Sequence, residues 1–369
     1  MGPLARTSRR SVIGAAVLAL ILQGCGTTGN KPTPAKPYTG KLPALDSVQF
    51  VTPKTGFVGG KGIVLETENG GRSWTRIYSG SASITEVDFV SSTAGWLLTS
   101  KGEVFTRVQG GGWQKVALPG QAAWVRLSKS GGGQLLTVQG ALYRKKSTGG
   151  AWKAENLRGV LGASFSYDNA GWAVTGGTNG AKPQIWRTSD GGVTWRSEFS
   201  PTVGEPEGGW SPAVQSAGSA VAVLLKAMSG AMEHQPFVVF ANAGAGQGWR
   251  EVLAAPPFAP QGFYPAPAAI PSGLQAGPFA LSGDSAFFLT WAPATPNDVL
   301  TLTMTRNGGK SWTNLPISGV GQAQIPNFFS TLQLAAASPS TVWLVGASGG
   351  QGRMLESTDG GARWKVVAP

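Results

Sequence analysis

An all-β chain, a seven-bladed β-propeller built from four-stranded antiparallel blades, is what three features of this sequence predict. A glycine-pair hairpin closed by tryptophan recurs seven times: TENGGRSW, TSDGGVTW, TRNGGKSW and STDGGARW end at Trp74, Trp195, Trp312 and Trp364, and RVQGGGW, KSTGGAW and NAGAGQGW end at Trp113, Trp152 and Trp249. The tryptophans stand 39, 39, 43, 54, 63 and 52 residues apart, each interval the length of one four-stranded unit with loops of varying size. Gly 55 and Pro 25 make up more than a fifth of 369 residues while hydrophobics hold 41% and Trp reaches 14, a composition of many short strands joined by turns rather than of disorder.

Ahead of the repeats, residues 1–24 read as an export signal. Arg6, Arg9 and Arg10 form a basic start and Val12 to Leu22 an apolar run too short to span a bilayer. Leu22-Gln23-Gly24-Cys25 resembles the lipobox of bacterial lipoproteins, which implies that Cys25 is lipidated after cleavage. Cys25 is also the only cysteine, so no intrachain disulfide and no cysteine-rich metal site can form. Ser8-Arg9-Arg10 is similar to a twin-arginine signal, leaving both export routes open. Residues 25–43 are a Pro-rich tether that, extended, reaches roughly 50 Å. The propeller is assigned to residues 44–369. The chain is expected to be exported and anchored on the outer face of the cytoplasmic membrane, or in the periplasm or outer membrane of a cell with two membranes.

Within the repeats, VQFVTPKTGF (48–57), VDFVSSTAGW (87–96) and ASFSYDNAGW (163–172) each begin with an alternating strand, pass through turn residues and re-enter on Gly-aromatic, as a meander does. In the hairpin, the side chain at Asp190 is placed to accept hydrogen bonds from backbone N–H groups just ahead of it, and the glycines take conformations costly for other residues. Asn69 and Asn307 replace the acid of Asp190 and Asp359 in two good copies. An amide keeps the hydrogen-bonding role but cannot serve as nucleophile or hard-metal ligand, so these positions are read as turn staples. One carboxylate per turn is also far short of what calcium needs. Trp74, Trp195, Trp312 and Trp364 are expected to pack on the blades.

The hairpin resembles the Asp-box, or bacterial neuraminidase repeat, of sialidases, sortilin-type receptors and the photosystem II stability and assembly factor family; repeat order, count and lipobox are most similar to the last. That resemblance implies a non-enzymatic scaffold engaging a membrane protein or complex during assembly. Its main rival is a glycan-acting hydrolase of sialidase-like fold. No Arg-Ile-Pro signature occurs, the nearest being Arg76-Ile77-Tyr78, and none of the five tyrosines sits in a neighbourhood resembling the sialidase site. A glycosidase needs only two carboxylates at a suitable separation, which 18 acids do not forbid. The single histidine, His234, reads as a loop residue, and no Walker-type loop or Gly-x-Ser-x-Gly elbow is present. No catalytic residue, metal or cofactor is assigned.

The formal charge of +12 admits an anionic partner. Nucleic acid is disfavoured: basic residues are scattered, and a leader carrying Arg6, Arg9 and Arg10 would leave +9 on an exported chain. Anionic lipid or a cell-wall polymer fits that location better, and a polymer binder is a third reading. Two candidate binding features remain. Asp88 and Arg126 hold equivalent places in the first strands of adjacent repeats, where Gln49 and Ser164 stand in two others; they read as an inter-blade ion pair or as a polar patch near the axis. The Pro-rich loop 254–278 carries Phe258, Phe263 and Tyr264, either as anchors for a partner or as a belt on the propeller wall. The whole is expected to act as a monomer.

Overall fold

The computed structural model describes residues 37–108, 110–128, 130–166, 170–178, 180–228, 235–242, 248–254, 275–292, 299–327 and 331–367. All but one of the elements are strands. The first sheet runs in order through β1 (Leu45–Phe50), β2 (Gly56–Thr67), β3 (Thr75–Ser91), β4 (Ala94–Thr99), β5 (Val104–Arg107) and β6 (Gln114–Lys115). The second holds β7 (Ala122–Leu127), β8 (Gly131–Thr137), β9 (Leu142–Ser147) and β10 (Lys153–Ala154), and the third β11 (Val160–Phe165), β12 (Gly171–Thr175), β13 (Gln184–Thr188) and β14 (Arg196–Phe199). The fourth comprises β15 (Trp210–Ala217), β16 (Ala220–Ala227), β17 (Phe237–Asn242) and β18 (Arg250–Ala254). The fifth is β19 (Gln275–Ser282), β20 (Ser285–Ala292), β21 (Val299–Thr305) and β22 (Thr313–Pro316), and the last β23 (Gln333–Ala336), β24 (Val342–Ser348), β25 (Gln351–Ser357) and β26 (Lys365–Val366). Every pairing is antiparallel between neighbours in sequence, the up-and-down meander that short polar turns dictate.

The propeller is therefore six-bladed, and the expectation of seven separate four-stranded blades is corrected. Five sheets have four strands and the first has six. The cause is β3, which runs unbroken for 17 residues. Thr75, Arg76, Tyr78, Ser79 and Ser83 pair with β2 and the residues from Ile84 onward with β4, so one strand carries pairing from the first repeat into the second across a register shift between Ser79 and Ser83. The hairpins that end at Trp74 and Trp113 thus both lie in the first sheet.

The middle strands are buried on both faces, as over 221–225 of β16 and 342–347 of β24, and their Val, Leu, Phe and Trp side chains fill the space between adjacent sheets. One such cluster joins the first sheet to the last: Leu45, Leu65, Trp74, Trp343, Met354 and Val367 pack together. Trp74 meets Trp343 edge-on at 6.1 Å and Phe50 stacks on Trp343 at 4.7 Å. The segment preceding β1 seals this joint. Tyr38 N donates to Trp74 O (2.6 Å), Lys61 N to Ala44 O (3.1 Å), and Gly352 N of the last sheet to Leu42 O (3.0 Å). The ring closes through this segment bridging its two ends.

Candidate functional site

The four best hairpins share one bonding scheme. Asp190 Oδ1 accepts from Thr194 N at 3.0 Å, and Asn69, Asn307 and Asp359 accept at the same 3.0 Å from Ser73, Ser311 and Arg363 N. A second set of bonds was not read from the sequence. The hydroxyl two residues earlier, on Thr67, Thr188, Thr305 or Ser357, donates to the Asx side chain and accepts from the N–H of the second glycine. Recurrence of Thr or Ser at that offset was the available signal. Carboxylate and amide differ only in direction: Thr194 Oγ1 donates to Asp190 Oδ2 (2.6 Å), whereas Asn69 and Asn307 Nδ2 donate to Ser73 and Ser311 Oγ (both 2.8 Å). Gly191 and Gly192 sit at φ +73° and +95°, where a side chain is strained.

These bonds lower the pKa of the Asp190 carboxyl to about 2, the Thr194 hydroxyl first and its N–H second. Asp359 is lowered likewise by Arg363 N–H and the Ser357 hydroxyl. All four Asx side chains are exposed and spread around the ring, so the fold brings none of them together. A surface depression of about 380 Å³ beside one hairpin is lined by Arg187, Thr188, Ser189, Thr194, Trp195 and Arg196. Of the hairpin tryptophans, Trp74 and Trp364 are buried and Trp195 and Trp312 half-buried. Trp312 Nε1 donates to Val252 O (2.8 Å) and Trp152 Nε1 to Ala117 O (2.9 Å), each tying its repeat to the one before.

The axis of the ring is different. A cavity of about 300 Å³ is walled by residues of β1, the second half of β3, β7, β11, β15, β19 and β23. Asp88 and Arg126 meet there, with Arg126 Nη1 donating to Asp88 Oδ1 at 2.7 Å. Asp88 also accepts from Gln49 Nε2 at 3.3 Å and from Leu127 N. Burial pushes the Asp88 carboxyl up and Arg126 pulls against it. Two residues back on the same face of β3 lies Glu86, which the sequence reading did not single out. It accepts one bond, from Val125 N at 3.3 Å. Burial, with the Asp88 charge behind it, pushes its carboxyl to about 8. Its signal was alternation: Glu86 stands where Ser47, Trp124 and Gly162 stand in neighbouring repeats. Ser47, Thr85, Trp124, Ser164, Gln215, Ser216 and Gln333 contribute the other polar groups of the wall.

Cys25, His234, Phe258, Phe263 and Tyr264 lie outside the described residues. Among the described residues no group of three or more His, Cys, Asp or Glu side chains could hold a metal ion, and no helix is long and apolar enough to cross a membrane.

Six antiparallel blades with Asp-box hairpins at their rims and a narrow polar axis define a β-propeller of the bacterial neuraminidase repeat type. Residues 41–163 match the model of the family described as photosynthesis system II assembly factor YCF48. Among solved structures, "YCF48 bound to D1 peptide" is 16% identical, with 89% of this chain and 98% of that one covered and a TM-score of 0.56. YCF48 from Cyanidioschyzon merolae is 14% identical over 92% and 88% of the two chains with a TM-score of 0.40. PorZ, a surface component of the type-IX secretion system of Porphyromonas gingivalis, is 11% identical with a TM-score of 0.53, covering 89% of this chain and 39% of that one. The comparison with curated proteins gives no match.

Proposed function

We propose that this chain is a non-enzymatic binding scaffold, held outside the cytoplasmic membrane by a lipid on Cys25, which engages a segment of a membrane protein or complex during assembly. The observation that carries this reading is the match of residues 41–163 to the YCF48 family model. A solved YCF48 structure of similar fold holds a D1 peptide, and a peptide from a membrane partner is the corresponding ligand here.

The chemistry of the axis supports binding over hydrolysis. A glycosidase needs two carboxylates facing each other across the scissile bond. Here the two axial acids stand two residues apart on one strand, and Asp88 is already committed to Arg126, Leu127 and Gln49. Crosslinking the anchored protein in its own membrane is expected to recover a membrane protein, while a panel of sialosides and other glycosides stays unhydrolysed. Robust turnover with no recovered partner would overturn the proposal. Replacing Cys25 by Ser is expected to release the protein from the membrane fraction.

A further inference from the structure

Among the described residues three charged side chains line the axial cavity, Glu86, Asp88 and Arg126, two acids and one base. Arg126 sits on Asp88 at 2.7 Å, and Asp88 takes further donors from Leu127 and Gln49. Glu86 takes only the Val125 N–H at 3.3 Å. The rest of the polar wall is neutral: Gln215, whose amide donates to Phe279 O, Gln333, and the hydroxyls of Ser164 and Ser216, which bond to each other at 2.9 Å. About 300 Å³ is room for roughly ten waters, or for one long side chain and a few of them.

We propose that this cavity is a binding site for an alkyl cation, the ammonium or guanidinium tip of a lysine or arginine presented by an extended segment of the protein partner, with Glu86 as its counter-charge. The proposal rests on the scaffold reading and deepens it. Asp88 and Arg126 are bonded to each other beside Glu86, and the amide and hydroxyl oxygens of the wall supply the remaining acceptors that an ammonium requires. A desolvated carboxyl to which no cation is bonded stays protonated near neutrality even with Arg126 drawing it down from a distance, and an arriving cation favours its ionised form. Entry of the ligand therefore releases the Glu86 proton to solvent, leaving a carboxylate against the incoming positive charge. Below pH 8 the affinity is expected to climb with pH, by close to tenfold per unit, and to level off above it. A neutral side chain of the same length gains nothing from Glu86.

The test is isothermal titration of the full chain with Nα-acetyl-lysine methylamide, its arginine counterpart and the uncharged norleucine analogue, up to tens of millimolar, in buffers of unlike ionisation enthalpy. The two cations are expected to bind with close to one proton released per site at pH 7, and norleucine not to bind. Glu86→Gln is expected to weaken the cations at least tenfold and to abolish the proton release, with thermal unfolding confirming that the variant is folded. Gln333→Lys, which places a cation in the wall, is expected to block the probes while leaving Glu86 intact. Norleucine binding as well as lysine, binding without proton release, full affinity in Glu86→Gln, or no binding of either cation would each overturn the site. Capture of a membrane partner without probe binding removes only the cation site; probe binding without any partner removes the scaffold reading instead.

Discussion

Asp190 and Glu86 are both carboxylic acids on a β-rich frame, and the ring treats them in opposite ways. Asp190 is exposed at the rim yet bonded on every side by its own turn, and it is held near 2. Glu86 faces the axis with a single backbone donor, and burial holds it near 8. The rim acid is replaceable by an amide in other repeats, as Asn69 and Asn307 demonstrate, because what the turn uses is an acceptor. The axial acid has no counterpart in its neighbours. Periodic chemistry in a repeat protein maintains each repeat, whereas chemistry that breaks the period is available for a partner.

The comparison breaks most visibly at the tryptophans. Trp74 is fully buried against Trp343 where the ring closes. Trp74→Ala is expected to cost about 3–5 kcal/mol in urea unfolding, the largest effect of any single change named here. A cost under about 1 kcal/mol would mean that the hairpin indoles do not seal the sheets.

Next in size is the pH dependence at the axis. The folded-state pKa of Glu86 lies above its ordinary value, so between pH 4.5 and 8 the native state holds a proton that the unfolded chain has lost. Stability therefore falls as pH rises through that window. Glu155, buried beside Arg144 and raised to about 7, contributes a similar slope between pH 4.5 and 7. The difference between wild type and Glu86→Gln isolates the axial group: the variant is expected to be more stable at pH 7 by about 2 kcal/mol, after discounting the full shift for partial exposure, and to lose part of the slope. Thermal unfolding across pH 5 to 8.5 measures both, and parallel curves for the two proteins would contradict the burial of Glu86.

The rim supplies the smaller effects. Asp190→Ala removes the acceptor of Thr194 N–H and hydroxyl and is expected to cost about 1 kcal/mol, whereas Asp190→Asn, the natural solution at Asn69, is expected to cost a few tenths. The acid itself is depressed, so its contribution is present above pH 3.8 and lost as pH falls through about 2. Acid unfolding of Asp190→Asn is thus expected to lack a small part of the wild-type sensitivity at that end, and equal costs for the Ala and Asn variants would break the acceptor argument.

The rim was legible in the sequence because its main requirements repeat: an acceptor at Asp190, a hydroxyl before the indole, two glycines and the indole itself; the hydroxyl ahead of the acceptor repeats too but was not read. Register was legible too, since equivalent offsets in VDF and VRL put Asp88 beside Arg126. The number of blades was not. Seven hairpins count repeats, but a sheet is bounded by where its strands end, and β3 does not end between the first two repeats: Lys61 and Ile63 pair with Ser83 and Ser79 across a register shift, and Ile84 pairs with Thr99. Glu86 escaped notice because a lone acid in a strand looks the same whether it faces water or an axis. Only the closure of the ring, sealed by Leu42 and Ala44 bridging the first and last sheets, encloses it.

The contrast between rim and axis is tested most directly by photocrosslinking with the probe residue placed at Ser164, on the axial wall, or at Ser189, in the Asp190 hairpin, in the membrane-anchored protein. The account expects a covalent adduct with the membrane partner from position 164 and none from position 189. Adducts from the hairpin alone, or from neither position, would contradict it.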